Sequence, residues 1–153
     1  RDTALDIERL KKEIISDEGV VFEIYLDHLG FKTFGVGHLV NKNDPEFNLR
    51  QGIPISKKRV DDCFSTDIQI CVLECSSLYR EFQSFPEEVQ LIIANMMFNL
   101  GQTRLAKFKD MKKALDNQDY EAAAAAMIDS RWYNQVPNRA KRLVERMKNV
   151  SDT

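Results

Sequence analysis

One run of residues, 91–98, is apolar on almost every side. A helix with this pattern has no face suited to water, so other elements must surround it. Pro86 can stand in the first turn of such a helix, where its missing amide hydrogen costs nothing, and Gly101 can end it. The run therefore predicts a central, buried helix against which the rest of the chain packs.

Helical periodicity fills most of the remaining chain. Ser56 is suited to cap a helix of about six turns, long enough to span two lobes at about 1.5 Å per residue. Thr3 and Asp6 form a weak capping signal for the first helix, and Gly19 can stop it. Besides the central helix, the pattern predicts five helices, over residues 3–16, 56–78, 105–116, 119–129 and 137–149.

Strand-like patterns are confined to the stretch after the first helix. Residues 20–26 are rich in β-formers, residues 27–30 read as a turn, and residues 31–36 read as a second strand. Residues 41–54 carry prolines and a glycine that break regular structure, so they read as a loop. The chain is therefore expected to belong to the α+β class.

Two carboxylates and a hydroxyl fall around this predicted hairpin. Glu18 stands at the end of the first helix, Asp27 at the end of the first strand and Thr33 on the second strand. Two carboxyl groups in different environments are the minimum equipment for cleaving a glycosidic bond. Partial burial beside Val20 would raise the pKa of Glu18 and suit it as an acid, whereas exposure would keep Asp27 ionised as a base. On spacing alone, the ordinary reading is a helix-end carboxylate, a turn former and a strand residue.

These residues resemble the phage-type lysozymes, glycoside hydrolase family 24, and the resemblance covers nearly the whole chain in order. It resumes at residues 55–56, at residues 95–101 and, most strongly, at residues 130–142, which read SRWYNQVPNRAKR. It implies one domain over residues 1–153 with a two-lobed fold. A small β-containing lobe would be joined by a long helix to a larger helical lobe, with the lobes at residues 17–55 and at residues 1–16 and 56–153.

The resemblance also implies an activity, the hydrolysis of the β-1,4 bond between N-acetylmuramic acid and N-acetylglucosamine in peptidoglycan with inversion. Glu18 would be the acid, Asp27 the base, and Thr33 the residue that holds the attacking water. No metal or cofactor is expected, because side chains carry both proton transfers. The expected partner is the peptidoglycan glycan strand, and the enzyme is expected to be a monomer that acts on the bacterial cell wall.

The resemblance implies supporting residues as well. Arg139 would pair with Glu18 across the cleft, and His38 would orient Asp67 or the backbone without taking part in proton transfer. Three further residues match cleft-lining positions of the family and would contact the glycan, namely Leu39, Phe98 and Asn99. Trp132 and Tyr133 fit helix packing better than a sugar-stacking platform.

The chain departs from the family pattern at several points. The segment between His38 and Ser56 is shorter, so the small helix usual there is expected to be absent. Ala126 stands where the family has a sugar-contacting asparagine, Asn99 where it has a glutamine, and Val136 where it has a helix-capping threonine. These changes bear on affinity for intact walls, and they leave the reaction type unchanged.

Composition excludes several other classes of protein. The net charge is −2 with no long basic stripe, which does not support nucleic-acid binding. No apolar run approaches the roughly 20 residues needed to span a bilayer, and the charged start of the chain is unlike a secretory signal. Three cysteines cannot form a complete disulfide framework, so Cys63, Cys71 and Cys75 are expected to be buried or half-buried thiols.

Three rival functions remain open at this level. The first two are chitin-like hydrolysis and a lytic transglycosylase, although the latter needs no water-activating base, so Asp27 and Thr33 disfavour it. The third is a glycan-binding or membrane-perturbing module that keeps the fold with little catalysis. The sequence does not distinguish a phage, prophage, toxin or animal immune setting, so release from a host cytoplasm and secretion both fit.

Overall fold

A computed structural model describes residues 4–150 and has a small three-stranded sheet among many helices, which confirms the predicted α+β class. The strands are β1 Val21–Leu26, β2 Lys32–Gly35 and β3 His38–Leu39. The α-helices are α1 Ile7–Glu18, α2 Lys57–Leu78, α3 Glu87–Leu100, α4 Gln102–Leu105, α5 Lys109–Asp116, α6 Tyr120–Ile128, α7 Arg131–Gln135 and α8 Pro137–Asn149. A 3-10 turn covers Phe82–Ser84.

The chain divides into two compact units. The β unit comprises Lys11–Ile70, and the helical unit comprises the chain up to Leu10 together with the chain from Cys71 onward. The β unit therefore includes most of α1 and the first part of α2, which the sequence analysis assigns to the helical lobe.

The sheet is antiparallel in the order β1-β2-β3. Tyr25 on β1 lies directly opposite Thr33 on β2, with an irregularity in the register between Val21 and Tyr25. β3 was not predicted, because a strand of two residues is too short to show alternation. It follows β2 after the two-residue turn of Val36 and Gly37.

A compact apolar cluster stands behind the sheet. It joins the strands to the first turns of α2 through Ile24, Phe34, Ile55, Val60 and Cys63, all of which are buried. Because these residues come from three different elements, the cluster holds the strands that carry Asp27 and Thr33 in a fixed position.

The segment of residues 41–54 contains no helix or regular strand, as predicted. It is nevertheless held at several points. Lys32 Nζ donates to the backbone carbonyls of Phe47 and Leu49, the second at 2.8 Å. The end of the segment pairs with β1, where Ile24 N donates to Ile53 O at 3.0 Å and an isolated bridge joins Glu23 to Pro54.

The two helices that flank the sheet are capped by side chains near their expected ends. Asp6 Oδ1 accepts from Arg9 N at 3.1 Å, so α1 begins at Ile7 and not at residue 3. Thr3 lies outside the described residues. Gly19 ends α1 with φ of +74°, and Ser56 Oγ accepts from Arg59 N at 3.1 Å at the start of α2.

α3 is the buried helix that its apolar run predicts. Leu91, Ile92, Ile93 and Met96 have no exposed surface. α8 and α6 contribute their own fully buried residues to the helical unit, among them Leu143 on α8. Gly101, with φ of +81°, ends α3 at the predicted place.

In the helical unit, the sequence pattern misplaced the start of one helix and missed another helix. The helix predicted near residues 105–116 begins only at Lys109, as α5, and the single turn α4 precedes it. Phe108 leaves the helical conformation, with φ of −78° and ψ of 63°, and its ring packs edge-on against Trp132 at 6.3 Å. The short helix α7 was not predicted, although Ser130 caps it by accepting from Tyr133 N at 3.2 Å.

The predicted environments of the thiols and of the tryptophan are confirmed. Cys63, Cys71 and Cys75 are all buried and free. Trp132 is 2% exposed, which fits packing and not a sugar platform. Among residues 4–150, no helix combines the length and the apolar content needed to cross a bilayer.

Candidate active site

Glu18 is the last residue of α1, and it is half-buried. Its carboxylate lies against the backbone of Gly37, where a Cβ atom would come within 3.0 Å of Glu18 Oε1. Gly37 also has φ of +62°, a conformation that residues with side chains rarely adopt. Glycine is therefore strongly favoured at this position, a preference that the sequence pattern does not show.

Asp27 follows β1 directly and is held by the turn it initiates. Its Oδ1 accepts from Leu29 N at 2.9 Å and from Phe31 N at 2.8 Å, and its backbone N donates to Phe31 O at 2.9 Å. Both side-chain hydrogen bonds from described residues end on Oδ1, so Oδ2 is the oxygen left for a water molecule. Asp27 is half-buried, which is less exposure than the sequence analysis expects.

Thr33 lies on β2 and is buried, with 4% of its surface exposed. Its hydroxyl donates to Phe31 O at 3.0 Å. Because the proton of the hydroxyl is engaged there, the remaining lone pairs of Oγ1 can only accept a hydrogen bond.

Tyr25 connects the three predicted residues. It is the cross-strand partner of Thr33, so the two side chains stand on the same face of the sheet. Burial raises the pKa of the Tyr25 phenol, and the charges of Glu18 and Asp27 raise it further. Both carboxylates therefore lie close enough to Tyr25 to disfavour its ionisation, which keeps its hydroxyl protonated.

His38 lies one residue beyond Gly37, at the start of β3, between two carboxylates. Its Nδ1 is 2.7 Å from Asp67 Oδ2, the contact that the sequence analysis anticipates, and its Nε2 is 2.8 Å from Asp44 Oδ2. Burial alone would lower the pKa of His38, but hydrogen bonds to Asp67, Cys63 and Asp44 raise it to about 11.

This group of charges continues into α2. Arg59 donates to both carboxylate oxygens of Glu46, at 2.8 and 2.9 Å, and its guanidinium stacks over Phe34 at 5.6 Å. The hydrogen bond from Arg59 holds the pKa of the Glu46 carboxyl below its usual range. The sheet, the 41–54 segment and α2 are thus joined by side-chain contacts inside the β unit.

The other predicted site residues lie outside the group of Glu18, Asp27 and Thr33. Leu39 is 53% exposed on β3. In the helical unit, Arg139 is buried and its Nε donates to Asn95 Oδ1 at 2.7 Å. Asn99 Oδ1 accepts from Trp132 Nε1 at 2.8 Å, and Phe98 is half-buried. The pairing of Arg139 with Glu18 and the glycan contacts of Leu39, Phe98 and Asn99 stay predictions.

The family model for phage lysozyme matches residues 16–149, which include every predicted site residue. The chain belongs to the phage lysozyme family. This confirms the resemblance seen in the sequence, and it confirms the prediction that the chain is a glycoside hydrolase.

Three relatives that resemble this chain come from Dictyostelium discoideum and from two phages. A probable T4-type lysozyme 2 of Dictyostelium discoideum is 27% identical over 157 residues, which cover 90% of this chain and 92% of the relative. The pre-baseplate central spike protein Gp5 of Enterobacteria phage T4 is 28% identical over 83% of this chain and 25% of the relative. The peptidoglycan hydrolase gp36 of Pseudomonas phage phiKMV is 26% identical over 97% of this chain and 16% of the relative.

Proposed function

We propose that this chain is an endo-acting muramidase. It hydrolyses the β-1,4 bond between N-acetylmuramic acid and N-acetylglucosamine in peptidoglycan by an inverting acid/base mechanism, and so lyses or remodels the bacterial wall. The observation that carries this proposal is the placement of Glu18 at the end of α1, Asp27 directly after β1 and Thr33 on the paired strand β2, with both carboxylates near enough to Tyr25 to raise the pKa of its phenol. The name of the phiKMV relative, a peptidoglycan hydrolase, supports the choice of substrate.

In the proposed reaction, Glu18 gives its proton to the oxygen of the leaving sugar as the glycosidic bond breaks. A water molecule attacks the anomeric carbon from the opposite face, and Asp27 Oδ2 takes a proton from it. The leaving sugar thus carries the proton from Glu18, and the new anomeric hydroxyl keeps one hydrogen of the water. Asp27 then loses the other hydrogen to solvent, and Glu18 takes up a proton from solvent, which restores both groups.

The hydrogen bonds at Asp27 and Thr33 suit these roles. Asp27 Oδ1 is fixed by two backbone amides, which aims Oδ2 and spares the base a reorganisation during the reaction. Thr33 donates a hydrogen bond to Phe31 O, so its Oγ1 can accept a hydrogen bond from the water and leave the lone pair of the water for the sugar.

Supporting roles go to residues outside this pair of strands. We propose that Arg139 pairs with Glu18 and thereby tunes the acid, and that His38 orients Asp67 or the backbone without taking part in proton transfer. Leu39, Phe98 and Asn99 are proposed to contact the glycan. The protein is further proposed to work as a monomer without nucleic acid.

The first test measures the release of reducing ends from purified peptidoglycan by the wild type, Glu18→Gln and Asp27→Asn. Each substitution should lower turnover by at least about a hundredfold, because each removes one proton transfer. Glu23→Gln is the matched control, since Glu23 is an exposed carboxylate on β1, between the two tested residues in sequence, and it should remain active. An active Asp27→Asn would overturn the assignment of the base.

Two further measurements separate the rival reactions. Proton NMR of the first product should show the α anomer if the reaction inverts, and a β anomer would indicate retention. Mass spectrometry should find hydrated ends, because a transglycosylase would leave anhydro ends lighter by one water. Binding to peptidoglycan without release by the folded wild type would favour the glycan-binding module.

A further inference from the structure

Three side chains of different metal-binding types meet beside the sheet, outside the proposed catalytic residues. Cys63 and Asp67 lie one turn apart on α2, and His38 faces them from β3. Their ligand atoms, a thiol sulfur, a carboxylate oxygen and an imidazole nitrogen, all lie within 4.8 Å of one another. Nothing in the proposed reaction uses the thiol of Cys63.

The distances between these atoms suit a small tetrahedral ion. With Zn–N, Zn–O and Zn–S bonds of about 2.0–2.3 Å, neighbouring ligand atoms in a tetrahedral site lie about 3.3–3.6 Å apart. His38 Nδ1 is 2.7 Å from Asp67 Oδ2, and Cys63 Sγ is 3.9 Å from the same oxygen. Displacements of the ligand atoms by about half an ångström, through side-chain rotation, would bring both distances into the tetrahedral range.

The surroundings of the three ligands also suit a cation. Asp44 accepts from the other ring nitrogen of His38, at 2.8 Å, which is the carboxylate–histidine–metal arrangement that orients a ligating imidazole. Among the described residues, the three carboxylates of Asp44, Glu46 and Asp67 face one permanent positive charge, that of Arg59. A divalent ion beside a neutral His38 would offset most of the negative charge that remains once Cys63 is a thiolate.

Access does not require unfolding. The side chains of His38 and Asp67 keep 13% and 22% of their surface exposed, whereas Cys63 is 5% exposed. An ion can therefore enter from the solvent side of His38 and Asp67, with the sulfur beneath them and water completing the coordination.

We propose that His38, Cys63 and Asp67 form a binding site for Zn²⁺ or a similar borderline transition-metal ion. The ion joins β3 to α2, and through Asp44 it also secures the 41–54 segment. Binding exchanges the ion for the proton shared by His38 and Asp67 and for the thiol proton of Cys63, without any redox step. The site is structural, and Glu18 and Asp27 are not among its ligands.

The test uses the full chain after treatment with a chelator and Zn²⁺ or Co²⁺ salts alone as probes. Titration calorimetry should find one Zn²⁺ per chain, and Zn²⁺ should raise the melting temperature. Co²⁺ should give the intense near-ultraviolet band of a thiolate–cobalt bond. None of these three readouts depends on hydrolysis, so the outcome is independent of the proposed function.

Variants assign the ligands. Cys63→Ala should abolish the thiolate–cobalt band and weaken Zn²⁺ binding by at least about tenfold, a loss typical of altered metal sites. Cys75→Ala is the matched control, because Cys75 is an equally buried thiol on the same helix, and it should retain both. If Cys63→Ala does not fold, Asp67→Asn, which keeps the size of the side chain, should show the same weakening.

Three results would overturn the proposal. They are the absence of Zn²⁺ binding by the wild type, an unchanged cobalt band in Cys63→Ala, and loss of the band in Cys75→Ala. The last result would place the ion at the other thiols of α2.

Discussion

The hydroxyl of Tyr79 is buried and, among the residues that the structure describes, has no hydrogen-bond partner. An unsatisfied buried hydroxyl costs about 1–3 kcal/mol, because it loses its hydrogen bonds to water and gains none. Tyr79 is 1% exposed and packs edge-on against Phe85 at a ring separation of 6.2 Å, a contact that phenylalanine would keep.

Tyr79→Phe should therefore raise the free energy of unfolding by about 1 kcal/mol, equivalent to about 2–4 °C in melting temperature for a chain of this size. Urea denaturation of the variant beside the wild type measures this. Tyr120→Phe, at a half-buried position, should change stability little. A less stable Tyr79→Phe would mean that the hydroxyl has a bound partner such as water.

Tyr25 reports on the two carboxylates of the proposed site. Their negative charges disfavour the phenolate, so Glu18→Gln or Asp27→Asn should each lower the pKa of Tyr25 towards its usual value. An NMR titration of the ring carbons measures the change. Tyr120, whose pKa is raised by burial alone, should titrate as in the wild type. An unaltered pKa of Tyr25 in both variants would contradict the proximity of the three groups.

Residues that carry obvious chemistry could be predicted from the sequence, whereas their neighbours could not. Glu18, Asp27 and Thr33 stand out because two acids and a hydroxyl flank a predicted hairpin. Gly37 and Tyr25 do not, because their roles depend on an approach to Glu18 and on strand register. A glycine between two apolar residues indicates only a turn, and a tyrosine within a strand indicates only a β-former.

At the scale of elements, α8 begins without a side-chain cap. Val136 occupies the N-cap position, has φ of −128° and ψ of 63°, and offers no oxygen to the first-turn amides. Val136→Thr has nearly the same shape and supplies that oxygen, so it should stabilise the protein by about 0.5–1 kcal/mol. Denaturant unfolding measures the gain. Val136→Ala, which supplies no oxygen, should show none, and a Thr variant no more stable than the wild type would rule out capping here.

Long elements were predicted, and short ones were not. α2, α3, α6 and α8 carry a cap, an apolar stripe or a proline at the start, and their observed ends lie within a residue or two of the predicted ones. α7 and β3 have five and two residues, too few for a period to show. α5 begins late because Phe108 packs on Trp132, a contact between residues distant in sequence.

For the whole molecule, the formal net charge of −2 at pH 7 sets how the enzyme approaches a wall that carries anionic polymers. Like charges repel over a distance of about 10 Å at 0.1 M salt, and added salt shortens that distance. Activity on intact walls should therefore rise on the order of twofold between low and physiological ionic strength. Walls stripped of anionic polymers should show no such rise, and a fall with salt would indicate a local basic surface that binds the wall.

The class of the fold could be predicted from the sequence, and the division into units could not. A short β region followed by helical periodicity is sufficient to indicate an α+β chain. The units divide at Leu10 and at Ile70, in the interior of α1 and α2, where neither composition nor breakers change. Such a boundary depends on which residues pack together, and periodicity along one helix does not contain that information.

The contacts of the 41–54 segment bear on its resistance to proteases. Irregular exposed segments are the usual sites of cleavage, and Lys42 and Arg50 are exposed trypsin targets within this one. A protease must first draw several residues of backbone into its own active site. Here Lys32 binds the backbone of the segment, and Arg59 and His38 bind its carboxylates. The rate of cutting is therefore set by the free energy of releasing these contacts, not by the exposure of the two target side chains.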